Sequence, residues 1–177
     1  VYKRQIFNLV KGNQVTVQME SEIGIVGGGL TGVMMAVTLS HSSDSVTLIT
    51  KALLSPKYRQ DDNRTTTIHA AGKAMLEALG IWENLPKPPV QVTRIMVAEG
   101  PSPTGLADRR QQDFSLTWHD AEQPMAYVVD NAALLDALCD NLATRSVRVI
   151  QPATVTGIET VAGKARLACA NRKLPDF

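Results

Sequence analysis

Three glycines, Gly27, Gly29 and Gly32, stand at the spacing G-x-G-x-x-G, the pattern with which a backbone can wrap a dinucleotide pyrophosphate. The first permits a tight turn, the second lets phosphate approach the main chain, and the third lets the following helix pack closely on the preceding strand. Free N–H groups at the start of that helix, with the positive end of its dipole, then hold the negative charge. Such a turn binds; it does not make or break bonds. It needs a strand before it and a helix after it, and both are legible. Ile23-Gly24-Ile25-Val26 is a short β-branched run, and residues 30 to 39 carry apolar periodicity of helical kind. Ser45-Val46-Thr47-Leu48-Ile49 reads as a second strand, which makes the stretch a βαβ unit, with Gly28, Leu30 and Thr31 completing the loop.

Other residues with chemical potential fall further along. Dinucleotide folds usually end their second strand on Asp or Glu, which accepts hydrogen bonds from the adenosine ribose. This chain has Thr50-Lys51 there. A threonine hydroxyl can hydrogen-bond a ribose without the charge-assisted strength of a carboxylate. Lys51 reads either as a solvated residue leaving a strand or as a partner for the extra phosphate of NADP. After a polar loop over residues 52 to 63 comes Arg64-Thr65-Thr66-Thr67-Ile68-His69, leading into a helix that carries Met75, Leu76 and Leu79 and is closed by Gly80. Arg64 is either a surface charge or a guanidinium aimed back at phosphates on the glycine loop, and Trp82 reads as core. His119 and Asp120 are adjacent, but neighbours in a strand point to opposite faces, which weakens an acid–base reading. Arg109-Arg110 reads as a solvated pair. The chain shows no convincing nucleophile, triad or metal cluster.

The elements that must position these groups follow from pattern. The 177 residues, 44% of them hydrophobic, suffice for a core of about one domain. Eighteen basic against seventeen acidic residues leave a net charge of +1, which gives no electrostatic basis for nucleic-acid binding. Two cysteines, Cys139 and Cys169, suggest neither a disulfide scaffold nor a metal site and fit a reducing compartment. No apolar run approaches the roughly 18 residues of a membrane span, so a soluble, cytoplasmic protein is expected. Residues 90 to 99 and 114 to 118 read as strands joined by a loop around residues 100 to 105. A helix is expected from Asn131 to about residue 142; Asn131 stands at its head, where an N-cap, which asparagine fills well, is one of two compatible readings. Residues 147 to 150 should form a strand lying beside the first, and residues 154 to 158 begin another. Residues 1 to 18 show neither helical period nor targeting pattern, and Met19 is a sensible start; they are expected to be a non-native or disordered leader.

Taken together, these motifs resemble a known family. The turn G-G-G-L-T-G, then Asp62-x-Arg64-Thr65-Thr66, then Leu76-x-x-Leu79-Gly80-Ile81-Trp82, and finally Ala126-Tyr127-Val128-Val129-Asp130-Asn131 before the helix at Leu134 to Leu138, look like the FAD-dependent aromatic hydroxylases of para-hydroxybenzoate hydroxylase type. Within these the sequence is most similar to the ubiquinone-biosynthesis hydroxylases. The match runs from about Glu22 to about Glu159, most of this chain but under half of a complete member. Two positions depart from the family pattern: Thr50 replaces an acidic residue, and Ala126 replaces a glycine.

The resemblance implies an α/β fold: a Rossmann-like FAD-binding domain over residues 19–87 and 131–177, with part of a β-sheet substrate domain inserted at 88–130. It implies FAD as cofactor, with NAD(P)H or another donor as reductant, and transfer of oxygen from a flavin hydroperoxide to a phenolic ring, the flavin carrying the chemistry. Residues Gly27, Gly28, Gly29, Leu30, Thr31 and Gly32 would meet the pyrophosphate, Thr50 and Lys51 the ribose end, Arg64 the phosphates or ribose, and Asn131 the ribityl chain or flavin. It further implies a polyprenyl phenol as substrate, peripheral contact with the inner membrane, and a homo-oligomer or biosynthetic complex. The family's later Gly-Asp segment, which clamps FAD from the opposite side, has no counterpart here. The sequence therefore reads as an N-terminal fragment, expected to be inactive alone. A non-catalytic or degenerate FAD- or NAD(P)-binding module is the alternative.

Overall fold

A computed structural model describes residues 5–11, 15–54, 62–98, 115–119 and 124–171. The chain opens with strands β1 (Gln5–Lys11) and β2 (Val15–Ser21), then β3 (Ile23–Val26), helix α1 (Leu30–Leu39) and β4 (Val46–Ile49). It continues through β5 (Thr65–His69), α2 (Ala70–Ala78), β6 (Val90–Val92), β7 (Arg94–Ala98), β8 (Ser115–His119) and β9 (Ala126–Asp130). Helix α3 (Asn131–Ala143) and strands β10 (Val147–Ile150), β11 (Ala153–Val161) and β12 (Lys164–Asn171) complete it.

The centre is a parallel sheet ordered β10-β4-β3. Every residue of β4 is buried, including Thr47, as a central strand covered on both faces requires. In β3, by contrast, only Ile25 is buried. The expectation that residues 147 to 150 lie beside the first strand is thus corrected: β10 pairs with β4, in register Val147↔Val46 to Ile150↔Ile49, and β3 is left at the margin. The uninterrupted run Val46-Thr47-Leu48-Ile49 suits the middle position better than Ile23-Gly24-Ile25-Val26, whose glycine has no side chain to bury.

Helices α1 and α3 pack together and carry the main core. Val33, Ala36 and Val37 of α1 meet Leu134, Ala137, Leu138 and Leu142 of α3, over Ile25, Val46 and Leu48 of the sheet. Ala36 and Ala137 are buried and small, which lets the two helices approach closely. Gly80 ends α2 as expected: its N–H donates to the Glu77 carbonyl at 2.9 Å, and that of Ile81 reaches Leu76 at 2.8 Å, a Schellman-type closure. Trp82 sits in the 3-10 turn Trp82–Asn84, edge-on to Tyr127 at 5.1 Å between ring centroids. The Lys73 ammonium lies 5.6 Å and 5.7 Å from the two ring centroids and is ion-paired with Glu77 one turn on.

Three further sheets surround this core. The order β5-β9-β6 is antiparallel throughout, and β7 pairs with β8. The sequence suggested one strand over residues 90 to 99; the structure divides it at Thr93 between two sheets. β5, which precedes residue 87, pairs with β9, which lies within residues 88 to 130. The fourth sheet, β11-β12-β1-β2, holds the other surprise. Within residues 1 to 18 the structure places β1, which pairs parallel with β12 and antiparallel with β2. Gln5–Lys11 and Val15–Ser21 are short β-branched and aromatic segments, which pair well without any helical period. The loop over residues 100 to 105, Arg109-Arg110 and Asp120 lie outside the described residues.

A second, smaller core joins this sheet to the central one: Ile49 packs with Ala153, Leu167 and Cys169. Burial pushes the Cys169 thiol above its ordinary value, so it behaves as an apolar filler. Truncating the main core should be costly. Leu138→Ala is expected to destabilise the protein by about 2–5 kcal/mol, measured as a lower denaturant midpoint with an unchanged slope.

Candidate cofactor site

The loop between β3 and α1 has the steric economy its spacing suggested. Gly27 has φ +116°, a conformation L side chains rarely adopt. A methyl group on Gly32 would lie 1.9 Å from the Gly27 carbonyl oxygen, so α1 can begin here only with a bare backbone at that position. At Gly29 a side chain would meet nothing within 4 Å; this is the open face of the loop. Gly29 is the N-cap of α1, and the first turn contains no acidic residue. The N–H groups of the first turn have no intrahelical partner and therefore face outward from a positive helix end with no carboxylate competing for them.

Gly28 answers to a different neighbour. A Cβ there would come within 2.3 Å of Thr50 Oγ1 and 2.7 Å of Thr50 Cβ. Thr50, expected at the adenosine ribose, is instead 2% exposed and its hydroxyl donates to the Ala52 carbonyl at 3.1 Å. Lys51, next along, is exposed.

The second and third motifs meet at the head of α3. The Asn131 N–H donates to the Arg64 carbonyl at 3.0 Å, and the Thr66 hydroxyl donates to Asn131 Oδ1 at 2.6 Å. Asn131 is not the helix cap that the sequence suggested. That role falls to Asp130, whose Oδ1 accepts from the Ala133 N–H at 3.0 Å while Lys87 pairs with its other oxygen at 2.8 Å. Aspartate caps as well as asparagine, so the cap was readable one residue earlier. Displaced from capping, the Asn131 side chain joins Thr66, a contact that no spacing rule would reveal. The Arg64 guanidinium is 80% exposed and holds Asp62 through Nε at 2.7 Å and Nη2 at 2.8 Å. These bonds hold the Asp62 carboxyl below its usual range and raise Arg64 in turn.

One open, apolar groove of about 410 Å³ connects the parts. Thr31, Met34 and Met35 of α1 form one side, Thr66 and Ile68 of β5 another, with Met75 of α2 and Leu134 of α3 contributing. The helix after the glycine loop and Thr66, the partner of Asn131, thus border the same space. Among the described residues no group of His, Cys, Asp or Glu is placed to hold a metal ion.

Comparison with known proteins bears on this arrangement. No family model matches the chain. Ubiquinone hydroxylase UbiL of Rhodospirillum rubrum is 29% identical over 143 residues, covering 78% of this chain and 31% of the relative. The 3-demethoxyubiquinol 3-hydroxylase of Escherichia coli is 38% identical over 65 residues, 36% of this chain and 17% of that protein. The chain therefore spans a third or less of the curated relatives it matches. In structure it is similar to the flavin-dependent monooxygenase PieE in complex with FAD and substrate, with a TM-score of 0.56 at 11% identity, over 84% of this chain and 28% of PieE.

The fold is thus similar to that of a flavin-dependent monooxygenase over 28% of that protein's length, and the two similar curated sequences are both named as hydroxylases. An FAD pyrophosphate fits the residues present: the loop leaves open space at Gly29, closes sterically beneath Gly28 and Gly32, and presents an uncapped helix end.

Two outcomes follow from this geometry. Gly32→Ala is expected to cost about 1–3 kcal/mol of stability through overpacking against backbone and to abolish ADP binding, read by denaturant unfolding and titration calorimetry. Asp130 supplies a pH effect. Folding lowers the pKa of this carboxyl, first through the Lys87 hydrogen bond and then through the Ala133 N–H. Its stabilisation is therefore present above the ordinary carboxylate value and disappears as pH falls through the lowered one. Asp130→Asn, which still accepts from Ala133, is expected to flatten the loss of stability below about pH 4, seen in urea midpoints at neutral and acid pH.

Proposed function

We propose that the polypeptide carrying this chain is an FAD-dependent monooxygenase that hydroxylates a phenolic ring, and that its substrate is a polyprenyl phenol of ubiquinone biosynthesis. The observation that supports this most directly is that the first turn of α1, which follows the glycine loop, and Thr66, whose hydroxyl holds Asn131, line one groove.

In this reading Gly28, Gly29, Leu30, Thr31 and Gly32 hold the FAD pyrophosphate through main-chain N–H groups and the helix dipole, while Gly27, whose own N–H donates to the Ile49 carbonyl at 2.8 Å, makes the turn that brings the loop to it. Arg64 adds a cation. Its exposed pair with Asp62 is solvent-screened and weak, so exchanging that carboxylate for a phosphate costs little. Asn131, fixed by the Thr66 hydroxyl, presents its amide nitrogen to the ribityl chain or flavin. Bound FAD supplies the activation of dioxygen, with NAD(P)H or another donor as reductant; the protein's part is to bind, orient and exclude water. No described helix is long and apolar enough to cross a membrane. A polyprenyl substrate dissolves in lipid, so the enzyme works at the membrane surface, facing the cytoplasm.

The test uses the complete gene product. It is expected to purify yellow, with a flavin absorption spectrum, and to insert a heavy-oxygen label from dioxygen into a polyprenyl phenol. Arg64→Ala is expected to lose flavin. A colourless protein that binds ADP but neither flavin nor phenol would instead indicate a nucleotide-binding module without catalysis.

A further inference from the structure

The strand end that follows β4 is where a dinucleotide fold recognises the adenosine ribose, and the geometry there points elsewhere. We propose that Thr50 is a positioning residue of the phosphate loop, a post beneath Gly28, and that it makes no contact with the ribose. This rests on the reading of the glycine loop as a pyrophosphate site.

Three observations carry it. Thr50 is 2% exposed, so neither its hydroxyl nor its methyl is available to a ligand lying over the loop. All of its polar groups are already used. The N–H donates to the Ile150 carbonyl at 3.0 Å, the carbonyl accepts from Ala153 at 2.9 Å, and the hydroxyl donates to Ala52 at 3.1 Å. These bonds tie it to the end of β10, the start of β11 and the turn after β4. Finally, its side chain occupies the volume that any substituent on Gly28 would need, with Oγ1 at 2.3 Å and Cβ at 2.7 Å from a Cβ built there. The third neighbour, Leu54 Cδ2 at 3.0 Å, is the far end of a flexible side chain and can yield.

A β-branched side chain has little χ1 freedom, and one anchored at both backbone groups and at its hydroxyl is stiffer still. Gly28 rests on it. The height of the loop above the sheet is therefore set by residue 50, and glycine at 28 is required by Thr50 at least as much as by the ligand. In consequence Thr50 lends the site no discrimination at the ribose.

Titration calorimetry with ADP and with 2′-deoxy-ADP, on the full-length protein freed of flavin, tests this. Wild-type protein is expected to bind the two within about threefold of each other, since no neutral hydrogen bond distinguishes them. Thr50→Val keeps the shape of the post and removes the hydroxyl, and should leave that ratio unchanged. If the wild type prefers ADP and the preference falls away in Thr50→Val, the hydroxyl contacts the ribose and the proposal fails. The decisive arm is a double-mutant cycle. Gly28→Ala alone drives a methyl into Thr50 and should weaken ADP by about tenfold or more. With Thr50→Gly already in place, adding Gly28→Ala should weaken it by no more than about twofold. Equal losses in both backgrounds would mean that Gly28 serves the phosphates directly, and would overturn the role given to Thr50. Where Thr50→Gly fails to fold, the Thr50→Val ratio still decides. Failure of the wild type to bind ADP at all is a separate result, which removes the pyrophosphate site itself and this inference with it.

Discussion

Helix α1 begins where it does because residue 32 has no side chain. The Gly27 carbonyl occupies the place of its Cβ, 1.9 Å away, so any other residue would lift the helix off the strand. Much else in the molecule hangs on that close approach. It sets α1 low over the central sheet, where Val33, Ala36 and Val37 can be fully buried. It brings α1 against α3 through two alanines, and it points the open N-terminus of the helix at the space above Gly29. A constraint on one hydrogen atom thus fixes both the burial of one face of α1 and the direction of its dipole.

The site itself is made of unlike materials. On the loop side stand backbone groups and a helix end, which cannot titrate and carry no net charge. On the β5 and α3 side stand side chains, with a hydrogen bond from Thr66 to Asn131 and an exposed guanidinium paired with Asp62. The walls between are methionine and leucine. Polar groups at the ends of an apolar groove can orient a long amphipathic ligand, while the sulfur-bearing walls adapt to its shape.

Those parts of the fold that obey local rules were legible in the sequence. Helix α1 runs over the residues its periodicity marked, β4 differs by one residue, and the closure of α2 at Gly80 follows from glycine chemistry alone. What escaped depends on contacts distant in sequence. β1, besides its neighbour β2, finds its partner in β12, at the other end of the described chain, and nothing within Gln5–Lys11 announces it. The order β10-β4-β3 could have been inferred from which strand is apolar throughout, had that been weighed against simple adjacency. Thr50 was read for its hydroxyl, a reasonable choice at the end of a strand, yet burial and three hydrogen bonds had already claimed it. Asn131 was read as a cap because asparagine caps helices, while Asp130 beside it does so.

The marginal place of β3 has a mechanical side. This strand pairs only with β4 among the described residues, so one row of its N–H and carbonyl groups faces outward, directly before the phosphate loop. Open edges accept strands from other chains, and a segment of four residues interrupted by Gly24 is a weak template for promiscuous pairing. A strand of matching register could still add there. It would then fix the twist of β3 about its own axis, and with it the tilt of a loop whose far side rests on Thr50. The loop is in this sense a lever with one arm seated in the core and the other lying along the edge of the described sheet.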